Sequence, residues 1–223
     1  MKVNIHKEVM KPSKNKIPEI LQAQFNWRKT GLYNGNSEIV VADNQEAAWW
    51  NRPLESDTLC KLEPDGIYSF NLPFIGGRDL YKTGYNILLN KNSVPVAGLL
   101  KVNPDWTVKD FQVLNTLAST AVYNTLIKLG VNKERLSIKN NDMLFDGKKF
   151  MGTEEKLCGM WKSINIVITM QYAPEKEIFD RLTGKYAQHR GITGIIEETN
   201  LFTKKQFMDA LIDELQNILS KLK

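Results

Sequence analysis

Apolar residues recur at helical spacing along several stretches of the 223-residue chain. The longest apolar stripe begins behind Thr107, which can cap a helix, and ends before Gly130, which favours helix termination. A second stripe, near the end of the chain, begins behind Thr203. The pattern predicts helices over residues 18–27, 47–50, 107–129, 175–182 and 203–222.

Segments rich in β-branched and aromatic residues predict strands between these helices. Asp146-Gly147 favours a two-residue turn, and therefore a hairpin. Alternation in its second strand predicts Lys149 and Met151 on one face, with Lys148 and Phe150 on the other. The predicted strands cover residues 38–42, 66–71, 85–89, 141–145, 149–153 and 164–170. The fold class predicted is α+β, with a mixed, mostly antiparallel sheet packed against helices.

Charge divides the chain into two unequal parts. The net charge is +5, and residues 1–30 hold seven basic and two acidic residues, so the remainder is neutral. We expect residues 1–16 to form a basic N-terminal arm and residues 17–223 to form a single domain. No apolar run reaches the length of about 18 residues typical of a membrane span, and no secretory signal is evident. These features predict a soluble, cytoplasmic protein.

The predicted hairpin carries the clearest candidate chemistry. The two cysteines are too few for a disulfide framework. Together with the two histidines, they also lack the spacing of a zinc site. Lys149 stands three residues before Gly152, where the backbone permits close approach, so the pair suits an anionic ligand. The alternative is a solvated lysine at a hairpin tip, which is the more common role of lysine.

The segment from Asn141 to Gly152 (N-D-M-L-F-D-G-K-K-F-M-G) resembles the N-D … D-G-x-K-x-x-G signature of lipoate–protein ligases, lipoyltransferases and related biotin–protein ligases. The resemblance extends from about residue 18 to the C-terminus. Other matching features are Gln45 at the end of an early strand, the glycine loop at Gly76-Gly77, G-I-T at 191–193 and T-N-L at 199–201.

The resemblance implies a biotin/lipoate-ligase-like catalytic domain that uses ATP to convert a lipoate- or octanoate-like acid into an acyl-adenylate. The acyl group then passes to a lysine of an acceptor domain, which a basic arm suggests is acidic. Lys149 matches the catalytic lysine, and Asp142 matches a residue that helps to hold Mg²⁺. The residues implied in substrate or nucleotide binding are Gln45, Gly76, Gly77, Asn141, Asp142 and Gly152.

Departures from the family pattern support two alternatives. Asp43 stands where the family has an arginine, and the glycine loop lacks the family's two arginines and first glycine. These changes favour a catalytically degraded homologue that acts as a binding protein. The basic N-terminus leaves nucleic-acid binding as a third possibility. The chain also ends after its last helix without the accessory domain of many lipoate ligases, so we expect that such a domain or subunit, if used, is separate.

Overall fold

A computed structural model describes most of the chain. The described residues are 2–10, 19–20, 23–24, 26–27, 30, 32–45, 48–51, 60–62, 68–71, 87–89, 92–139, 142–171 and 193–222. Gly76, Gly77, Asn141 and the helix predicted at 175–182 lie outside these residues.

A seven-stranded sheet organises this described part of the chain. In chain order its strands are β1 (Asn4–Met10), β2 (Glu38–Asn44), β7 (Ser93–Lys101), β8 (Leu136–Lys139), β9 (Asp142–Phe145), β10 (Lys148–Cys158) and β11 (Trp161–Thr169). Across the sheet they lie in the order β1-β2-β7-β11-β10-β9-β8. Strands β1 and β2 run parallel, and the other neighbouring pairs run antiparallel. Strand β1 therefore places residues 4–10 of the predicted basic arm within the main sheet.

Four short strands of the described residues form a second sheet. They are β3 (Ala48–Asn51), β4 (Cys60–Leu62), β5 (Tyr68–Asn71) and β6 (Ile87–Leu89), and they lie in the order β4-β5-β3-β6. The helix predicted at 47–50 is wrong, because Ala48–Asn51 pairs with both β5 and β6. Aromatic residues such as Trp49 and Trp50 favour strands when neighbouring strands are available for pairing.

The core lies between one face of the main sheet and two of its helices. Four helices of the described residues are α1 (Val108–Asn115), α2 (Leu117–Lys128), α3 (Ile195–Thr199) and α4 (Lys204–Ser220). Val41 of β2, Leu126 of α2 and Phe207 of α4 are fully buried in one cluster. Thr203 and Gln206 cap α4 reciprocally, as its sequence predicts.

The long helix predicted over 107–129 is two helices, α1 and α2, that meet at Thr116. The backbone of Thr116 leaves the helical region, with φ of −111° and ψ of 10°. At the start of α2, the Glu155 carboxylate of β10 accepts a hydrogen bond from the backbone of Ala118. An acid at a helix N-terminus satisfies one of the backbone donors left unpaired there.

Helical residues between 19 and 30 cover the opposite face of the sheet. Trp27 packs there with Leu99 and Trp161. The buried Gln24 side chain donates to the carbonyl of Gly98 at 2.9 Å and accepts from Asn165 at 3.0 Å. The described residues thus support the helix predicted from residue 18. Among all the residues that the structure describes, no helix is both long enough and apolar enough to cross a membrane.

Candidate active site

The hairpin formed by β9 and β10 holds the candidate site. Asp146 and Gly147 form its two-residue turn, and both have positive φ, 48° and 79°. These values fit a type I′ turn, whose twist matches that of paired strands. The hairpin predicted from Asp-Gly is therefore confirmed.

A β-bulge in this hairpin reorders the faces of β10. Lys149 pairs with Leu144, but Met151 pairs with Met143, so the register shifts between Lys149 and Met151. Beyond the bulge, Gly152 pairs with Asp142. Because Asp142 and Leu144 are two residues apart, they share a face, and their partners Lys149 and Gly152 share it with them.

The prediction that Lys149 and Met151 share a face is therefore wrong. Met151 points into the core with Met143, and both are buried. Phe150 is the extra residue of the bulge, and it is buried in the same core cluster. An undistorted strand would place Lys149 and Gly152 on opposite faces, because they are three residues apart.

Lys149, Asp142 and Gly152 form a compact polar site on this face. Nζ of Lys149 lies 2.8 Å from Oδ1 of Asp142, and both side chains are about one-third exposed, at 32% and 28%. A methyl group at Gly152 would lie 3.4 Å from Cε and Nζ of Lys149 and 3.6 Å from Asp142 Oδ1. The glycine therefore leaves open the space in front of the ammonium group.

A separate segment, residues 193–199, contacts the backbone of Lys149. The Thr193 amide donates to the Lys149 carbonyl at 2.9 Å. The Thr193 hydroxyl donates to Oε1 of Glu198 at 2.7 Å, and Nζ of Lys148 lies 2.7 Å from the same oxygen. Thr193 belongs to the G-I-T segment noted in the sequence. Glu198 is not among the residues predicted from the sequence, although it directly precedes the T-N-L segment.

Ion pairs fix the protonation states around the hairpin. Hydrogen bonds from Lys148 and then Thr193 lower the pKa of Glu198 below its ordinary value. A hydrogen bond from Arg135 lowers the pKa of Asp146, and the same contact raises the pKa of Arg135. Arg135 also lies over the ring of Phe145, 4.1 Å from its centroid. These acids are therefore ionised at neutral pH.

Gln45 lies at the same end of the sheet, but it is separated from Lys149. It follows β2, and β7 and β11 stand between β2 and β10. At about 4.8 Å per strand, the two backbones lie about 14 Å apart. Nε2 of Gln45 donates to Asp43 Oδ2 at 3.2 Å, and Asp43 forms an ion pair with Lys204 of α4. The acid at the family's arginine position is thus paired with a lysine here.

Asp142 is the residue predicted to help hold Mg²⁺. Across the residues with described positions, no group of three His, Cys, Asp or Glu side chains is arranged to hold a metal ion. A single carboxylate fits a Mg²⁺ that arrives on nucleotide phosphates, because this ion keeps several waters and uses one or two carboxylates. Asp142 therefore suits a metal bound together with its nucleotide.

Comparison with solved structures identifies the fold. P. falciparum LipL1, solved in complex with lipoate, is 15% identical with a TM-score of 0.58, and the match covers 99% of this chain and 61% of LipL1. This chain thus spans less than two-thirds of the length of that relative. No model of a known protein family matches the sequence, and no curated protein matches it significantly.

Two further solved structures have a similar fold. A bi-partite lipoate protein ligase from Thermoplasma acidophilum, studied with its E2 lipoyl domain, is 12% identical over 98% of this chain and 85% of that chain, with a TM-score of 0.56. Biotin protein ligase from Leishmania major, in complex with biotinyl-5-AMP, is 15% identical over 99% and 76%, with a TM-score of 0.52. The resemblance found in the sequence is confirmed for the fold: this chain has the fold seen in lipoate and biotin protein ligases.

Proposed function

We propose that this protein is an acyl-protein ligase or transferase that activates a lipoate- or octanoate-like carboxylic acid as its acyl-adenylate. The observation that carries the proposal is the convergence of Lys149, Asp142 and Gly152 on one sheet face. The bulge that brings them together has a structural cost, because it interrupts the ladder. A solvated lysine at a hairpin tip has no need of it, whereas a ligand-binding lysine does.

Lys149 supplies positive charge to the first chemical step. The carboxylate of the acid attacks the α-phosphorus of ATP, and pyrophosphate leaves. Negative charge on the transferring phosphate oxygens grows during this attack, and a fixed ammonium group stabilises it. Asp142 offsets the charge of Lys149 before the nucleotide binds, and its carboxylate helps to hold the Mg²⁺ that accompanies the phosphates.

The second step transfers the acyl group to an acceptor. The ε-amine of an acceptor lysine attacks the activated carbonyl, an amide forms and AMP leaves. Lys149 again stabilises the charge that develops at the carbonyl and phosphate oxygens. The acceptor is a lipoyl-type domain, which is the partner studied with the T. acidophilum ligase. The net charge of +5 suits an acceptor with an acidic surface.

The remaining assignments follow the resemblance. We place Gln45, Gly76, Gly77 and Asn141 around the substrate and nucleotide as predictions. Gln45 is set by Asp43 and lies at the same end of the sheet as Lys149. It therefore suits contact with a part of the substrate remote from the reacting carboxylate.

The test is acyl-adenylate formation by wild-type protein and by Lys149→Ala. The protein is incubated with ATP, Mg²⁺ and a mixture of short carboxylic acids, lipoate and octanoate among them, and any retained acyl-AMP is identified by mass spectrometry. We expect wild-type protein to hold one acyl-AMP species. Lys149→Ala should lower its rate of formation by about 100-fold or more, the usual effect of removing one stabilising donor.

Lys156→Ala is the matched control. Lys156 is an exposed lysine of the same strand, beyond Gly152 and away from the hairpin turn. It should leave the rate unchanged, and both variants should unfold at the wild-type temperature. Wild-type turnover by a folded Lys149→Ala variant would refute the assignment of Lys149. Absence of acyl-AMP in wild-type protein with every acid would instead favour a degraded homologue that acts by binding.

A further inference from the structure

We propose that Glu198 is a positioning residue for Lys149, acting through Thr193 to hold the bulge of β10. Its effect on catalysis rests on the function proposed above. Its effect on the backbone can be measured independently, because the contacts that carry it are present without any substrate.

The carbonyl of Lys149 lies beyond the regular ladder between β10 and β11. In the described residues, this ladder extends to the pair formed by Met151 and Ile168. The Thr193 amide occupies the next position and donates to the Lys149 carbonyl at 2.9 Å. Thr193 is 5% exposed, so this hydrogen bond is sheltered from water. The segment before α3 thus continues the sheet for one residue, at the lysine itself.

Glu198 fixes Thr193 in this position. One carboxylate oxygen, Oε1, accepts from the Thr193 hydroxyl and pairs with Lys148, each at 2.7 Å. The acid therefore joins the segment to the strand residue adjacent to Lys149. Hydrogen bonds to a charged acceptor are stronger than those between neutral groups. Glu198 is 21% exposed, which limits screening of its charge by solvent.

A second anchor sets the direction of α3. The Ile196 amide donates to the carbonyl of Met170 at the end of β11, at 2.9 Å. Helix α3 is therefore tied to β11 at Ile196 and to β10 through Glu198. These two contacts hold α3 against the sheet in the arrangement in which the Thr193 amide donates to the Lys149 carbonyl.

The arrangement separates the two consecutive lysines. Lys148 pairs with Glu198, whereas Lys149 pairs with Asp142. Removing Glu198 frees Lys148 and loosens the hydrogen bond to the Lys149 carbonyl. The ammonium group of Lys149 then samples positions away from Gly152. Displacements of about 1 Å at a reacting group reduce rates by as much as 100-fold.

The experiment compares Glu198→Ala, Glu198→Gln and a control, Asp146→Asn. Asp146→Asn removes the ion pair with Arg135 on the same hairpin, and asparagine tolerates the positive φ found at this position. The first readout is hydrogen exchange at the Thr193 amide, measured by NMR on the substrate-free protein. The second is kcat for acyl-adenylate formation at saturating substrates, together with KM for the acid.

We expect exchange at the Thr193 amide to accelerate at least fivefold in Glu198→Ala, and about twofold or less in Glu198→Gln and in the control. Glutamine keeps an acceptor for the Thr193 hydroxyl, so it should rescue most of the protection. We expect kcat to fall about tenfold in Glu198→Ala, with KM changed less than kcat, and to stay near wild type in the control.

Unchanged Thr193 exchange in Glu198→Ala would overturn the proposal, whatever the activity. An equal fall in kcat for Glu198→Ala and Asp146→Asn would also overturn it, because general loosening of the hairpin would then explain both. A wild-type protein that forms no acyl-adenylate refutes the proposed function and the catalytic consequence. The exchange measurement would still decide whether Glu198 holds the bulge.

Discussion

Replacing Gly152 with alanine should separate stability from activity at the candidate site. The added methyl group would contact Lys149 Cε and Nζ at 3.4 Å and Asp142 Oδ1 at 3.6 Å, which are close to ordinary contact distances. Alanine also restricts the unfolded chain, a change that stabilises by about 0.4–1 kcal/mol where the backbone permits it. Weakening the partly exposed ion pair costs about 0–1 kcal/mol. The free energy of unfolding should therefore change by less than about 1 kcal/mol.

The activity should change much more. The methyl group lies in front of the Lys149 ammonium, where the proposed carboxylate and phosphate bind. It occupies the space through which a ligand would approach the ammonium group most closely. We expect a fall in kcat/KM of about 10- to 100-fold. This fall corresponds to about 1.4–2.7 kcal/mol of transition-state stabilisation.

Urea unfolding and the rate of acyl-adenylate formation test both halves of this prediction on the same preparation. Gly152→Ser is a useful companion, because it adds a polar atom at the same position and should also lower the rate. Wild-type activity in a folded Gly152→Ala protein would refute the reasoning, since the space in front of Lys149 would then have no role. A loss of more than about 3 kcal/mol in stability would show that the glycine is required for packing instead.

Three further predictions concern the rest of the fold and the hairpin. Gly98→Ala should lower the free energy of unfolding, measured in urea, by about 1–3 kcal/mol. The added methyl group would lie 2.9 Å from Ile39 Cγ1 and 3.0 Å from the carbonyl oxygen of Glu38. Lys162→Met should cost about 3–5 kcal/mol because it leaves Glu155 buried without its partner, and adding Glu155→Leu should recover most of the loss. The pKa of Glu198 is lowered from 4.5, so its contribution to stability is present above about pH 4.5 and lost as the pH falls through the lower folded-state value. The difference in melting temperature between wild type and Glu198→Gln should accordingly shrink below pH 4.5, and a difference that grows on acidification would contradict the shift.

Much of the fold is predictable from local sequence signals. The Asp-Gly turn predicts the hairpin because few residue pairs accept two consecutive positive φ values. Thr203 with Gln206 predicts the start of α4, because the capping contacts are local. Resemblance along the chain then predicts the fold shared with lipoate and biotin protein ligases, even where identity to solved structures is 12–15%.

Other features depend on tertiary contacts that no local pattern encodes. Strand β7 contains Pro95 and was not predicted, although it lies in the middle of the main sheet. The break at Thr116 occurs inside a continuous apolar stripe and coincides with the Glu155 carboxylate of a distant strand. Both depend on which strands become neighbours.

The candidate site divides in the same way. Motif spacing predicts Lys149, Asp142 and Gly152 as site residues, yet strict alternation places Lys149 and Gly152 on opposite faces. The bulge that unites them also places both Phe150 and Met151 in the core. No sequence motif points to Glu198, because its contacts with Thr193 and Lys148 form only in the folded chain.

The parallel strand β1 changes how the basic N-terminus should be studied. It pairs with β2 along its whole length, from Asn4 with Glu38 to Met10 with Asn44. A truncated protein that begins at residue 17 would expose the backbone donors and acceptors of β2, an edge prone to intermolecular pairing and aggregation. If such a protein lost nucleic-acid binding, the loss would reflect self-association as much as loss of charge. Neutralising Lys2 and Lys11 by substitution preserves the strand, so it tests the charge alone.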